Sequence, residues 1–278
     1  MSAGAAGSVA FMGPLGTFSD IAVRAAFPQK PTVEVSTIPA VIDCVARGDA
    51  EVGVVPIENS TEGGVSATLA SLLESSLLIR GELVILVSLC LAARHFELAR
   101  IKRVVSHPQP LGQSRHWLER QLPHAELVSM SSTTAAAREA ARDDATAAVT
   151  SRLGAELSSL AIVAENIQDH AENATRFVIV GHEDAARTGR DKTSVVFSTP
   201  HARGALRRAL AAFDDEGINL TRIESRPAPS RRWEYVFFTD LEGHREDPHV
   251  ARALERLTHE GGTVRVLGSY PRAGEPLK

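Results

Sequence analysis

Between residues 8 and 180, short apolar runs rich in valine alternate with stretches whose apolar residues recur at helical spacing. This alternation predicts strand–helix units built around mainly parallel sheets. The predicted strands are 9–12, 33–35, 52–55, 83–91, 104–106, 125–130, 146–149, 161–164 and 177–180. That is more than one sheet usually carries, and 83–91 is long enough to pass from one sheet into another. The pattern therefore predicts two lobes facing each other across a cleft. Residues 182–192 (HEDAARTGRDK) are polar and contain glycine, which reads as a linker with room for the parts to rotate. Beyond it the order changes to strand 193–198, helix 204–213, strand 219–225, strand 234–239, helix 248–258 and strand 263–267. This βαββαβ order is the ferredoxin-like arrangement of four antiparallel strands backed by two helices.

Polar residues gather where strands end. SVAFMG runs into PLGTFSD, VVS into HPQPLGQS, LVSM into SSTTAAA, AAVT into SRLGAEL, and VGVVP into IENSTEGG. In open α/β sheets ligands bind outside the carboxyl ends of strands, where helix N-termini offer unpaired N–H groups and a dipole that favours anions. The recurrence predicts a site for a small anion. Each cluster also has a plainer reading. Thr17, Ser19, Ser132 and Thr133 are residue types that cap helices, and Pro108, Gln113 and Trp117 suit the surface of a helix. His107 alone reads as structural more readily than functional. Glu58, Asn59 and Ser60, following a buried strand and Pro56, exceed the needs of one cap. Arg176 beside a buried strand requires a partner. Its planar fork suits a carboxylate ligand, and a salt bridge to Asp169 or Glu172 would serve equally. No turn carries GK[ST] or GxGxxG, so a nucleotide cofactor is not expected.

At 278 residues the chain exceeds one ordinary core, in keeping with two domains of which one is bilobed. Net charge is −4 and no lysine–arginine block interleaves with aromatics, which argues against nucleic acid as partner. The two cysteines, Cys44 and Cys90, lie in apolar segments, as expected of buried thiols in a reducing compartment rather than of a disulfide or metal site. The longest apolar run, 83–93, falls short of the roughly 18 residues of a membrane span. The N-terminal MSAGAAGSVAFMG lacks the basic head and apolar body of a secretory signal and reads as a short disordered leader. The expectation is a cytoplasmic protein with no membrane partner.

With these clusters in view, the chain resembles the prephenate dehydratases in the form fused to a C-terminal ACT domain. The matching motifs are GPLGTFS (13–19), VPIENS with EGGV (55–65), SHPQPLGQ (106–113), TTAAA (133–137), NIQD (166–169) and NATRF (173–177), followed by GAL (204–206), INLTRIESRP (218–227) and LGSYPR (267–272). The resemblance implies an α/β catalytic domain over 8–183 whose two lobes are like those of type-II periplasmic binding proteins, a linker over 184–192 and a ferredoxin-like ACT domain over 193–272. It implies L-phenylalanine as effector at an ACT–ACT interface, held by Gly204, Ala205, Leu206, Asn219, Leu220, Glu224, Ser225, Arg226 and Pro227. Assembly follows as a homodimer or homotetramer, through the ACT domains and the catalytic domains. Gly112 and Ser114 stand where the family often has alanine and cysteine, and Arg207 where a small apolar residue is usual.

The implied reaction expels carbon dioxide and a ring hydroxyl from prephenate, a dianion, to give phenylpyruvate. Aromatisation drives it, so neither cofactor nor metal is implied. In this reading Thr175 is the hydrogen-bonding acid for the departing hydroxyl, with Glu58 or His107 as proton reservoir. Arg176 grips one carboxylate, and Thr17, Phe18, Ser19, Asn59, Ser60, Gln113, Ser132, Thr133, Thr134 and Phe177 share the remaining contacts. Arogenate as substrate, and a non-catalytic acid-binding sensor carrying an ACT domain, are the competing readings.

Overall fold

The structure is a computed structural model that describes residues 5–228, 235–260 and 262–277. Residues 1–4 of the expected disordered leader lie outside these residues, while 5–12 form a strand instead of disordered chain; Glu234, at the start of one expected strand, also lies outside. The first lobe opens with β1 (Ala5–Met12), α1 (Phe18–Ala26), β2 (Thr32–Val35), α2 (Ile38–Ala46) and β3 (Ala50–Asn59). β3 turns back as β4 (Gly63–Gly64) before α3 (Ser66–Glu74) and β5 (Leu78–Leu86). The chain crosses into a second lobe made of β6 (Cys90–Ala93), β7 (Arg103–Ser106), α4 (Pro108–Gln113), α5 (Arg115–Gln121), β8 (Glu126–Ser129), α6 (Thr133–Ala140), β9 (Thr146–Thr150), α7 (Arg152–Leu157) and β10 (Ala161–Ala164). β11 (Ala174–Gly181) returns to the first lobe. The third unit contains β12 (Asp191–Ser198), α8 (Ala205–Asp214), β13 (Leu220–Pro227), β14 (Tyr235–Glu242), α9 (Pro248–His259) and β15 (Val264–Pro271).

The sheet orders are β2-β1-β3-β11-β5, β10-β6-β9-β7-β8 and β13-β14-β12-β15. The third is wholly antiparallel, as the βαββαβ order requires. The first two are more mixed than the alternation predicts. β1 runs parallel to β2 and β3, but β11 is antiparallel to both β3 and β5. β6 is likewise antiparallel to β9 and β10. The cause is the double crossing between lobes: β5 leaves and β11 re-enters side by side, so they run in opposite directions. The predicted 83–91 strand is the end of β5, a crossing segment and the start of β6. The two crossings bind each other, Val87 N–H to Asn173 O at 2.8 Å and Ile167 N–H to Leu89 O at 3.0 Å, which makes a two-stranded hinge.

Thr17, Thr37, Ser132 and Ser151 start α1, α2, α6 and α7, each side chain accepting an N–H of the helix it opens. The third unit is not a separate body. Its Val196, Phe238, Leu267 and Tyr270 share one core with Ile57, Ile79, Val178 and Val180 of the first lobe, while α8 and α9 cover the other face of its sheet. Gly268, at φ 149°, lies so close to β5 that a Cβ there would fall 2.0 Å from the Ile79 carbonyl oxygen. The stretch read as a rotating linker is irregular over 182–190 but pinned: Asp184 accepts Ser269 N–H (2.9 Å) and pairs with Arg245 (2.6 Å), and Asp191 accepts the N–H groups of Thr188 and Gly189. Past β15 the chain returns to the free edge of β5, where Leu277 bonds Val84 and Leu86 through its main chain, both at 2.8 Å. Among the described residues no helix is long and apolar enough to cross a membrane. Cys44 and Cys90 are free and buried, and burial pushes the Cys90 thiol up to about 12.

Candidate active site

A cleft of about 1030 Å³ separates the two lobes. The first lobe lines it with the start of α1 (Thr17, Phe18, Ser19), the end of β2 (Glu34) and the adjoining ends of β3 and β11 (Asn59, Thr175, Phe177). The second lobe lines it with His107, the cap of α4, and Gln109 and Gln113 on that helix, and with Ser132, the cap of α6, and Thr133, Ala135 and Arg138 on that one. The walls touch where Ser151 Oγ donates to Gly16 O (2.7 Å) and Gln113 donates to Glu62 (3.2 Å). The starts of α1, α4 and α6, three of the ends expected to meet an anion, border this cleft. The hydroxyls of Thr17 and Ser132 are spent on their own helices, so the capping reading is right for those oxygens. The first amides of α1 and α6 have no carbonyl one turn back and stay available to an anion.

Asn59 explains the crowding of polar residues after β3. Its amide nitrogen donates to Asn173 Oδ1 (2.9 Å), Ala174 O (3.1 Å) and Thr175 Oγ1 (3.0 Å), and its oxygen accepts Thr61 N–H, Thr61 Oγ1–H and Glu62 N–H. One side chain thus ties the β3–β4 turn to the hinge and to the start of β11. Because Thr175 Oγ1 accepts from Asn59, its own hydrogen is free to be donated into the cleft. His107 Nδ1 accepts the Gln109 N–H (3.4 Å), which leaves Nε2 to carry the proton of the neutral ring.

Four expected site residues lie elsewhere. Side chains on a strand alternate between faces, so Arg176, between Thr175 and Phe177, points away from the cleft toward the third unit. Its guanidinium donates to Glu82 (2.6 Å), to Asp240 and to the Tyr270 hydroxyl (2.9 Å), with Glu58 at 3.5 Å. Neither Asp169 nor Glu172 is its partner. Burial works against the Arg176 charge, but Asp240, Tyr270 and Glu82 outweigh it and raise its pKa. Burial would likewise raise Glu82 and Asp240, yet Arg176, helped by Lys192 and Ser194 respectively, holds both carboxyls below the usual range. Glu58 sits on that same far face, between Arg176 and Arg222 (3.6 Å). A register break between Arg176–Glu58 and Phe177–Pro56 leaves Ile57 as the extra residue, which turns Glu58 away while Asn59 faces the cleft. Ser60 bonds the main chain at Glu172 and Ala174, and Thr134 is buried with its hydroxyl on Leu15 O (3.0 Å).

A second cavity, of about 620 Å³, is lined by Gly204, Ala205, Leu206 and Ser225 of the implied effector residues, together with Arg203, Arg207 and Tyr235. Asn219, Leu220, Glu224, Arg226 and Pro227 do not line it. Glu224 pairs with Arg222 and Arg226, and a Cβ on Gly64 would overlap it; Arg226 reaches Ser66 (2.6 Å). These two charged residues of β13 therefore dock on the first lobe. Sequence reasoning missed Glu34, Glu62 and Arg138 in the cleft. For Arg138 a signal existed in SSTTAAAR: Ser132, Ala135 and Arg138 recur every third position along one helix stripe.

Two family models match the chain, prephenate dehydratase over residues 9–185 and ACT domain over 193–259. The bifunctional chorismate mutase/prephenate dehydratase of Aquifex aeolicus is 42% identical over 95% of this chain and 74% of its own length. A crystal structure of prephenate dehydratase in complex with L-Phe from Arthrobacter aurescens superposes with a TM-score of 0.88 at 38% identity, covering 95% of this chain and 90% of that one. A structure described as GqqA, a novel type of quorum quenching acylase, superposes with a TM-score of 0.87 at 33% identity, covering 96% and 98%.

Proposed function

The chain belongs to the prephenate dehydratase family, with an ACT domain toward its C-terminal end, and from that premise we propose that it is a lyase converting prephenate to phenylpyruvate, carbon dioxide and water under control of L-phenylalanine. The observation that carries this reading is the pairing of Thr175 with Asn59 inside an interlobe cleft whose helix starts face inward. The electron pair of the breaking C–CO₂ bond moves into the ring, a ring pair expels the hydroxyl, and one proton completes the water. Thr175, oriented by Asn59, donates to the departing oxygen, and His107 replenishes the proton. The amides opening α1 and α6 share the charge of the substrate carboxylates. Phe18 and Phe177 offer apolar surface to the ring that becomes aromatic.

In this proposal residues 8–183 form the catalytic domain, 184–192 the connector and 193–272 the ACT domain, and L-phenylalanine enters the cavity beside Gly204–Leu206. The chains assemble as a homo-oligomer through their ACT domains, and the buried free thiols suit a cytoplasmic enzyme. The deciding experiment follows phenylpyruvate by its ultraviolet absorbance with prephenate and arogenate supplied separately, and tests acyl-amide cleavage on the same preparation. Turnover of prephenate supports the reading. Preference for arogenate changes the substrate, and acylase turnover without dehydration overturns the assignment. Titrating L-phenylalanine against rate and scattering profile tests control; neither changing would count against it.

A further inference from the structure

A cleft that takes a dianion needs a cation within it, and Arg176 is committed elsewhere. Swinging it inward would strip Asp240, 2% exposed, of its countercharge and leave an uncompensated buried carboxylate. Among the described residues, the charged side chains lining the cleft are Glu34, Glu62 and Arg138, with His107 as the further titratable group. Arg138 is the fixed cation of that set. It follows Ser132 and Ala135 on the stripe of α6 that faces the cleft, across from the start of α1. It makes no ion pair among the described residues, whereas its neighbour Glu139 pairs with Arg103 (3.7 Å).

We propose that Arg138 is the guanidinium that grips the substrate, through the carboxylate that survives the reaction; this inference rests on the dehydratase reading above. The two carboxylates differ in what a firm grip does to them. The one lost as carbon dioxide gives up its charge to the ring as its bond breaks, so holding it tightly favours the ground state and slows the step. The side-chain carboxylate keeps its charge through substrate, transition state and product. A guanidinium on that group adds affinity evenly along the reaction and leaves the chemical barrier untouched. A merely structural role, such as complementing the C-terminal end of α6, would couple Arg138 to helix stability and not to ligand charge.

The test uses the full chain and the variants Arg138→Gln and Arg138→Lys. For Arg138→Gln the Michaelis constant for prephenate should rise about 10- to 100-fold, the loss expected for a charge-assisted hydrogen-bonded pair, with kcat held within about threefold. Product inhibition by phenylpyruvate, which retains the same carboxylate, should weaken by the same factor. Arg138→Lys should recover part of both. Thermal unfolding should be unchanged, since the side chain is exposed. An unaltered Michaelis constant in Arg138→Gln overturns the assignment, and so does a raised one with undiminished phenylpyruvate inhibition, because the grip would then be on the departing group. Absence of prephenate turnover in the wild-type chain instead defeats the functional reading from which the inference starts.

Discussion

Thr175 and Arg176 are neighbours on β11, yet one faces the interlobe cleft and the other faces the C-terminal sheet. The cleft face carries a hydroxyl oriented by one amide, half-buried and open to a ligand. The opposite face carries a guanidinium saturated by Glu82, Asp240 and Tyr270, with Lys192 sharing Glu82 (2.9 Å). A single strand thus separates reactivity from cohesion by the alternation of its side chains. Adjacent polar residues in a motif such as TRF need not act on one ligand.

The largest effect expected on this comparison is at Thr175. Replacing it with valine keeps its volume and removes the donor, so kcat should fall about 10²- to 10⁴-fold, the usual worth of acid assistance, with the Michaelis constant and the urea midpoint nearly unchanged. Steady-state rates beside a denaturation curve would show this; near-normal turnover would dissolve the distinction between the faces. Arg176→Met should do the reverse in kind, lowering stability by about 3–5 kcal/mol because buried Asp240 loses the guanidinium that pairs with it, while Glu82 keeps only Lys192. Urea unfolding measures it, and a variant as stable as the parent would mean the pairing is idle.

The pH dependence sharpens the same contrast. Asp240 and Glu82 have folded-state pKa values below their ordinary ones despite burial, chiefly through Arg176. A depressed carboxyl contributes stability that is complete above its unfolded value, about 3.9–4.3, and drains as pH falls through the lower folded value. Stability should therefore hold from neutrality to about pH 4.5 and decline below, while in Arg176→Met the decline should begin at higher pH, since both groups lose the largest influence that opposes their burial. Urea midpoints across pH would reveal coincident curves if Arg176 were not responsible. The smallest effect belongs to Glu58, about a third exposed and 3.5–3.6 Å from its two arginines. Glu58→Gln should change stability by less than about 1 kcal/mol and leave turnover intact; a severe rate loss would restore it to the chemistry.

The strands and the βαββαβ unit were legible because alternation and valine-rich runs mark half-buried and buried strands directly. Direction was not, since periodicity is the same read either way, and so the antiparallel entry of β11 went unseen. The strand ending at residue 55 in sequence continues to Asn59 in space. Pro56 looked like a stop, but the register break beside it accommodates a residue without an N–H. Cleft residues at helix starts were readable from strand-to-helix turns. Arg176 was misassigned although alternation with Thr175 and Phe177 already turned it from the cleft, and Glu58 because its facing depends on the one-residue bulge at Ile57; their true partners, Glu82, Asp240 and Arg222, lie far away in sequence. Arg138 escaped notice as one exposed arginine among many.

The return of Leu277 to β5 bears on handling the protein. β5 is the last strand of its sheet, and a bare border of that kind is a template on which other chains can polymerise. The backbone at Leu277 acts as a selvedge. Leu277→Pro, which removes the N–H that bonds Val84, would lay open the seam at which insoluble material is expected to form.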